Sequence, residues 1–366
     1  MIGLTALSLS ACSNDSGPND IPENPNSGPI FSSSTNMSSG FFSSGSLPSS
    51  SVPMGSSSSQ TNGGGTSSSS SAAFPEVDIS DKLANITKKC ESPLPSLDGN
   101  AKHGHASRYW DCCKPSCAWP DKFGYDPDKT VKTCNIKDEE TPTQQETGNK
   151  YFPWEGVVNS CDGGDAFACY DQAPFAVCED LAYGYVAASG GTLGDASCGS
   201  CFLLEFDGGM HEYAAKHEHK ALKGKKMIVM VTNIGYDVKD GQFDIMIPGG
   251  GMGAFTGGCE AQWGVDLQNK DLVGETFGGF RSTCEKKLGF YPEPTLEENQ
   301  ECVRDMCDAL FDKPGLEDML QGCYWYVDWY YAANNPTYKY SPIECPKELV
   351  DNFPTSYPVV DMTEYE

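Results

Sequence analysis

Residues 107–117 read Ser-Arg-Tyr-Trp-Asp-Cys-Cys-Lys-Pro-Ser-Cys, and this segment indicates more about the chain than any other. A single carboxylate, Asp111, stands between a run of aromatic residues and three cysteines. Cysteines that form disulfides restrict the local backbone, and aromatic rings offer an apolar face beside the carboxylate. The segment is therefore typical of a rigidly held acid/base group.

A second segment, residues 237–255, reads Asp-Val-Lys-Asp-Gly-Gln-Phe-Asp-Ile-Met-Ile-Pro-Gly-Gly-Gly-Met-Gly-Ala-Phe. Asp244 lies among apolar residues at the start of a predicted strand, where desolvation raises the pKa of a carboxyl group. A general acid needs that property, although an Asp that fixes the loop before the glycines would give the same pattern. The glycine run is not a phosphate-binding loop, because no Gly-Lys-Ser/Thr follows it.

Charge and cysteine content limit the class of protein. The 366 residues include 51 Asp and Glu against 25 Lys and Arg, and the net charge of −26 argues against nucleic acid or an anionic membrane as partner. Seventeen cysteines indicate an oxidising compartment and a disulfide framework. Only one C-x-x-C pair, Cys198 and Cys201, and five histidines are present, so we expect neither a metal nor a cofactor.

The N-terminal part of the chain is typical of an exported protein. Residues 1–11 form a short apolar run that ends in Leu-Ser-Ala before Cys12, which resembles a bacterial lipoprotein signal peptide followed by an acylated cysteine. Without Cys12, sixteen cysteines remain, an even number that could close eight disulfides. We expect an outer-membrane or cell-surface lipoprotein, or a secreted protein. Residues 12–74 are Ser- and Gly-rich and predict a disordered linker before a folded domain at 75–366.

The folded domain is predicted to be mainly β. Runs rich in β-branched and aromatic residues predict strands at 202–206, 227–232, 243–248, 324–329 and 338–343. Helices are predicted at Pro174–Ala188 and Leu296–Leu310. A closed barrel with long disulfide-tied loops and a few short helices would leave none of these short strands with an exposed edge.

Together, the two Asp-containing segments resemble glycoside hydrolase family 45, the small endoglucanases with a six-stranded double-psi β-barrel. The family signature, a small residue followed by Thr-Arg-Tyr, an aromatic residue and Asp, is matched by Ala-Ser-Arg-Tyr-Trp-Asp at 106–111, where Ser107 keeps the hydroxyl group. The resemblance covers a core of about 105–353, with insertions at about 208–222 and 287–320. It implies a β-glucan as substrate.

The resemblance assigns roles to three carboxylates. It implies that Asp111 is the general base and Asp244 the general acid of a hydrolysis with inversion, for which two carboxyl groups about 6.5–9.5 Å apart are needed. Asp237 aligns with a further family carboxylate that supports catalysis. Gln242 stands where many relatives carry His.

Aromatic and basic residues near Asp111 are candidates for substrate contact. We expect Tyr109 to support catalysis and four residues to bind substrate: Arg108, Trp110, Lys114 and Trp119. For Trp110, as for Trp325 and Trp329, packing in the core is the stronger interpretation from the pattern alone. Three histidines in the 208–222 insertion could bind a metal, but the surrounding Lys and Glu favour a surface insertion; they are His211, His217 and His219.

The family's disulfides imply six pairs in this chain: Cys112–Cys259, Cys113–Cys161, Cys117–Cys198, Cys134–Cys169, Cys201–Cys345 and Cys284–Cys323. Four cysteines remain, and we hypothesise that Cys90 pairs with Cys178 and Cys302 with Cys307.

Three functions follow from these observations. The first is a monomeric endo-β-1,4-glucanase, and the motifs fit cellulose, mixed-linkage glucan, xyloglucan and glucomannan equally. The second is a non-hydrolytic, expansin-like wall-loosening or carbohydrate-binding protein, but such proteins lack the base that Asp111 supplies. The third is a peptidoglycan enzyme of the cell envelope, against which the motifs around Asp111 and Asp244 argue.

Overall fold

β-Strands form the centre of the described part of the protein, which in this computed structural model comprises residues 80–119, 130–141, 157–191 and 197–351. The strands are β1 (Lys102–Tyr109), β2 (Thr133–Cys134), β3 (Glu140–Thr141), β4 (Phe175–Cys178), β5 (Leu181–Ser189), β6 (Cys201–Met210), β7 (Lys226–Gly235), β8 (Gln242–Met246) and β9 (Pro336–Ile343). The helices are α1 (Ser80–Leu83), α2 (His217–Leu222), α3 (Gly257–Trp263), α4 (Lys270–Val273), α5 (Gly279–Leu288), α6 (Leu296–Phe311), α7 (Glu317–Asp328) and α8 (Lys347–Val350). None of the helices in these four ranges has the length and apolar character that a membrane crossing requires.

Six of the strands pair in a closed ring. The larger sheet has the order β4-β5-β7-β6-β9-β1-β8, and β8 also pairs with β5. Each strand from β5 around to β8 therefore has two hydrogen-bonded neighbours within the ring, and β5 pairs in addition with β4 outside it. The pairs β1–β8 and β5–β7 are parallel, and the other pairs of the ring are antiparallel. The mainly β class is confirmed, the ring of six paired strands is what the predicted six-stranded barrel requires, and the strands predicted at 202–206, 227–232, 243–248 and 338–343 correspond to β6, β7, β8 and β9.

Packed aromatic side chains hold β8 in its place within the closed ring of strands. The ring of Phe243 on β8 lies 5.0 Å from that of Phe202 on β6 and 5.3 Å from that of Tyr340 on β9. The backbone N–H of Phe243 donates a hydrogen bond of 3.0 Å to the hydroxyl of Tyr338, which in turn lies 2.8 Å from the carbonyl oxygen of His105 on β1. These contacts fix β8 against β1 and β9 next to Asp244.

The helix predicted at Pro174–Ala188 is wrong, because this segment forms β4 and β5. Nearly every side chain of β5 is buried, and burial on both faces removes the alternating pattern by which a strand is recognised. The small residues fit close strand packing: a Cβ on Gly184 would lie 2.6 Å from the Cε of Met227 on β7. Tertiary packing therefore overrides the helix preference of the alanines.

The strand predicted at 324–329 is also wrong, because these residues belong to the end of α7 and the residue that follows it. The side chains of α7 are buried on most faces of the helix, so apolar residues do not recur with a clear helical period in its sequence. Trp325 and Trp329 are four residues apart and stack with ring centroids 5.3 Å apart. Both are fully buried, which confirms the core-packing interpretation.

The helix predicted at Leu296–Leu310 is confirmed as α6. Thr295 and Glu298 form a reciprocal cap at its start: the Thr295 hydroxyl accepts from the Glu298 N–H, and the Glu298 carboxylate accepts from the Thr295 N–H. With 16 residues, α6 extends one residue beyond its predicted end.

Eight disulfides join the sixteen cysteines of the described residues, and six match the predicted pairs: Cys90–Cys178, Cys112–Cys259, Cys113–Cys161, Cys117–Cys198, Cys134–Cys169 and Cys201–Cys345. The pairs Cys284–Cys323 and Cys302–Cys307 are wrong. Instead, Cys284 on α5 bonds to Cys302, and Cys307 bonds to Cys323 on α7. Residues five apart on a helix point in different directions, so the two cysteines of α6 reach different neighbouring helices.

The predicted signal peptide at 1–11, the acylated Cys12 and the whole linker at 12–74 lie outside the described residues and stay predictions. All described residues belong to one compact unit of the chain, which spans Ser69–Glu366.

Candidate active site

Two neighbouring parallel strands position the predicted pair of carboxylates. In the β1–β8 pairing, Ser107 is the partner of Asp244 and Tyr109 is the partner of Met246. Asp111 follows β1 by two residues, so it lies beyond the end of the strand that pairs with the strand of Asp244. Because parallel strands run in the same direction, both carboxyl groups lie towards the same end of the ring.

Asp244 has the properties of a carboxyl group that stays protonated near neutral pH. Its residue is partly accessible, yet its Oδ1 is buried and has no hydrogen-bond partner among the described residues. Burial, aided by the negative charges of Asp237 and Asp111, raises the pKa of Asp244 to about 7, against a hydrogen bond from Ser107 that lowers it.

Asp111 is anchored through its own backbone turn. Its Oδ1 accepts a hydrogen bond of 3.0 Å from the backbone N–H of Cys113, and the next two residues form disulfides with Cys259 and Cys161. Burial raises the pKa of Asp111 to about 6, while the hydrogen bond from Cys113 opposes that rise. The structure thus bears out the rigid anchoring predicted from the cysteines.

Asp237 and Tyr109 complete the cluster around these carboxylates. Asp237 is exposed in the loop between β7 and β8, and its charge raises the pKa of Asp244 and of Asp111. Tyr109 is buried, and burial together with the charge of Asp111 raises the pKa of its hydroxyl well above the usual range.

Asn233 is a member of this cluster that the sequence analysis missed. Its amide nitrogen donates to the Tyr109 hydroxyl at 3.1 Å, and its amide oxygen accepts from the backbone N–H of Ser116 at 2.9 Å. Asn233 thereby connects β7 to both ends of the segment that contains Asp111. A polar residue that follows the apolar run 227–231 was the signal that could have identified it.

Comparison with known proteins identifies the family. Residues 103–301, more than half of the chain, match the family described as glycosyl hydrolase family 45. The chain belongs to this family.

Two curated relatives and one solved structure illustrate the match. "Endoglucanase B" of Cellvibrio japonicus is 42% identical over 259 residues, which cover 70% of this chain and 46% of that protein. "Endoglucanase" of Cryptopygus antarcticus is 32% identical over 247 residues, 67% of this chain and 85% of that protein. The crystal structure of cellulase from the same springtail shares 29% identity over 69% of this chain and 96% of that chain, with a TM-score of 0.49. The chain spans about half the length of the Cellvibrio japonicus protein.

In this family 45 member, Gln242 on β8 lies two residues before Asp244 and contacts its neighbour Ser107. Its amide nitrogen donates to the Ser107 hydroxyl oxygen at 2.7 Å, while its amide oxygen accepts from the backbone N–H of Lys239 at 3.0 Å. Because the Ser107 oxygen accepts from Gln242, its hydrogen is left to donate towards Asp244. A neutral amide, which does not titrate, therefore supports the group beside Asp244.

The structure places Arg108 and Trp110 in the interior of the protein. Trp110 is 1% exposed, which supports the core-packing interpretation of this residue. The Arg108 guanidinium donates to the side-chain oxygen of Asn334 at 2.8 Å and to the carbonyl oxygen of Gly278 at 2.9 Å. Burial and these hydrogen bonds give both residues a structural role, and the substrate-binding role predicted for them stays a prediction.

Lys114 and Trp119 lie together beside the predicted site. The Lys114 ammonium donates to the carbonyl oxygen of Val157 at 3.0 Å and lies 3.9 Å from the centre of the Trp119 ring. Trp119 is partly accessible, and its contact with substrate stays a prediction. Of the predicted site residues, Asp111, Asp244 and Asp237 all lie close enough to Tyr109 for their charges to raise the pKa of its hydroxyl, while the support that Tyr109 gives to catalysis stays a prediction.

The three histidines of the 208–222 insertion make unrelated contacts. His219 is buried on α2; its Nδ1 accepts from the backbone N–H of Lys216, and its Nε2 lies 2.7 Å from the carbonyl oxygen of Asn334. His211 stacks on His105 with ring centroids 3.6 Å apart, and His217 is exposed. Within the described residues, one set of side chains has metal-ligand spacing, but its two cysteines, Cys134 and Cys169, are bonded to each other.

Proposed function

We propose that the protein is an endo-β-1,4-glucanase that hydrolyses internal bonds of a β-glucan with inversion, with Asp244 as general acid and Asp111 as general base. The observation that carries this proposal is the pair of carboxyl groups towards one end of the parallel strands β1 and β8, both with pKa values that burial raises, to about 7 for Asp244 and about 6 for Asp111. Between those values Asp244 is mostly protonated while Asp111 is mostly ionised. An inverting hydrolase requires that combination.

The chemistry divides between the two groups. Asp244 gives its proton to the glycosidic oxygen as the bond to the anomeric carbon breaks, so the sugar leaves as a neutral alcohol. Asp111 takes a proton from a water molecule on the opposite face, and that water forms the new bond to the anomeric carbon. The hydrogen bond from the Cys113 N–H to Asp111 Oδ1 fixes the orientation of the carboxylate that receives this proton. Proton exchange with solvent restores both groups.

Export of the protein fits the same proposal. Disulfides persist in oxidising compartments, and eight of them tie the loops around the β-ring. A polymeric glucan outside the cell would be accessible to an exported enzyme.

We expect the full chain to release reducing ends from carboxymethylcellulose and barley β-glucan. Attack at internal bonds lowers the viscosity of a polymer solution well before many ends have formed, so viscosity should fall early in the reaction. Reducing-end release and viscosity measured on the same samples check this result. Adsorption to cellulose without new reducing ends would instead support the expansin-like alternative.

We expect a bell-shaped dependence of kcat/KM on pH with its maximum between the two raised pKa values. The rate should rise as Asp111 loses its proton near pH 6 and fall as Asp244 loses its proton near pH 7. Because the charge of Asp237 raises both pKa values, Asp237→Asn should move both limbs of the profile to lower pH.

The matched control is Asp271→Asn, which removes an exposed carboxylate on α4 that pairs with Lys287 at 3.1 Å. This variant should leave both limbs in place. Asp237 is exposed, so the shift caused by its replacement should shrink as ionic strength is raised. A profile that is unchanged in Asp237→Asn at low ionic strength would contradict the electrostatic role of this residue.

A further inference from the structure

The two insertions meet at a second depression on the protein surface. It has a volume of about 360 Å³ and lies between the segment before α2, helix α5 and the segment before α6. We name it the aromatic depression; its principal lining residues are Tyr213, Lys216, Arg281, Glu285, Phe290 and Tyr291. None of these belongs to the cluster around Asp111 and Asp244, so the aromatic depression is made of different residues from the candidate active site.

Exposed aromatic rings line this depression. Tyr213 is 71% exposed, Phe290 65% and Tyr291 97%. A solvent-exposed aromatic side chain forgoes the free energy that its burial would contribute to folding. Several such side chains beside one depression therefore mark a binding surface. Their flat apolar faces suit a ligand that has flat apolar faces of its own, as the pyranose rings of a β-glucan do.

The charges at the aromatic depression are compensated within the protein. Arg281 is buried and lies 3.1 Å from a carboxylate oxygen of Glu218 and 3.3 Å from one of Glu285. Lys216 lies 3.5 Å from the same Glu285 oxygen, and Glu293 adds a further negative charge at the lining. No excess of positive charge remains to attract an anion, and the net charge of −26 also opposes one. An uncharged ligand fits this surface best.

Hydrogen-bonding capacity remains unmet beneath the aromatic rings. The Nε and Nη1 atoms of Arg281 and the Oδ1 atom of Asn299 have no hydrogen-bond partner among the described residues. Both side chains line the depression and are nearly inaccessible, at 1% and 3% exposure. Buried polar groups are almost always paired, so donors and an acceptor without partners indicate a position for bound water within the lining of the depression.

We propose that the aromatic depression is a second, non-catalytic site that binds a β-glucan chain. The identity of this ligand rests on the proposed glucanase function, whereas the presence of the site rests on the rings, the compensated charges and the unpaired polar atoms. Such a site would hold the enzyme on an insoluble polymer while the candidate active site around Asp111 and Asp244 acts on another segment. It gives the two insertions a shared function.

The test measures adsorption of the full chain to insoluble cellulose in an Asp244→Asn background, where the polymer is not degraded. The double variant Tyr213→Ala/Phe290→Ala should bind with an association constant about three- to tenfold lower than its parent. Tyr291→Ala should lower binding in the same direction. In the background with Asp244 intact, kcat/KM on a short soluble cello-oligosaccharide should stay within about twofold of the parent value, because the candidate active site is unchanged.

Ile136→Ala is the control, because it removes an exposed apolar side chain that does not line the aromatic depression. It should leave adsorption unchanged. Equal adsorption by the double variant and its parent, or no adsorption by the parent, would overturn the second site. A parallel fall in kcat/KM on the short oligosaccharide would instead place these rings in the candidate active site and overturn it as well. If the unmutated chain released no reducing ends while the rings still governed adsorption, the proposed hydrolase function would fail and the second site would stand.

Discussion

Replacement of Asp244 by Asn is expected to lower kcat on barley β-glucan by about 10²- to 10⁴-fold, the usual contribution of a general acid. An amide has nearly the same shape as a protonated carboxyl group but cannot transfer a proton to the leaving oxygen. Asp244 Oδ1 has no hydrogen-bond partner among the described residues, so the amide should be accommodated without breaking a contact that the fold needs. The stability of the variant, measured by thermal unfolding, should therefore stay close to that of the parent.

A substrate with an activated leaving group separates loss of the acid from general damage to the site. The dinitrophenolate group of a dinitrophenyl glycoside leaves as a stable anion and needs little protonation. Asp244→Asn should therefore retain far more of the parent rate on this substrate than on a glucan. Asp271→Asn, which alters an exposed carboxylate of α4, is the matched control and should behave as the parent does. A variant that kept more than a tenth of the parent rate on barley β-glucan would contradict the assignment.

The candidate site could be predicted from sequence because its two main carboxylates each lie in a short, recognisable segment. Asp111 with its neighbouring cysteines and Asp244 with its apolar flanks are local patterns, and the parallel pairing of β1 with β8 brings them to one end of the ring. Asn233 belongs to neither segment. It became visible only once β7 was placed beside the segment that contains Tyr109 and Ser116.

The errors in the predicted secondary structure have a common physical cause. Strand β5 and helix α7 are buried on nearly all sides, so neither shows the alternation or the helical period by which sequence patterns are recognised. The aromatic content of α7 then resembled a strand, and the alanines of β5 resembled a helix. The predicted pairing of Cys302 with Cys307 is wrong for a different reason. The partners of these two cysteines are set by the helices that pack beside α6, which the local sequence does not specify.

The aromatic depression could not be predicted from the sequence, because its lining residues come together only in the folded chain. Its rings come from two insertions separated by helix α5, and the polar atoms beneath them come from α5 and α6. No single segment carries a recognisable pattern. Exposure of an aromatic side chain is a property of the folded chain, and residue type alone does not predict it.

Replacement of Asp111 by Asn is expected to lower kcat by about 10²- to 10⁴-fold, because an amide cannot take the proton of the attacking water. The amide oxygen can still accept the hydrogen bond from the Cys113 N–H, so the turn that the two disulfides hold should persist. The acid limb of the pH profile near pH 6, which reports ionisation of Asp111, should disappear from the remaining activity. Its alkaline limb should move to lower pH, because the negative charge of Asp111 raises the pKa of Asp244.

The loss in Asp111→Asn should differ in kind from the loss in Asp244→Asn. An activated leaving group should not restore the rate, since the missing step is activation of water and not protonation of the leaving oxygen. Azide, which needs no base, should restore part of the rate in Asp111→Ala, where the smaller side chain leaves room for it; the product would be a glycosyl azide of inverted configuration. Retention of the limb near pH 6 in Asp111→Asn, or rescue by the leaving group alone, would assign the general base to another residue. Asp237 would then be the first to test, because its charge acts on both carboxyl groups.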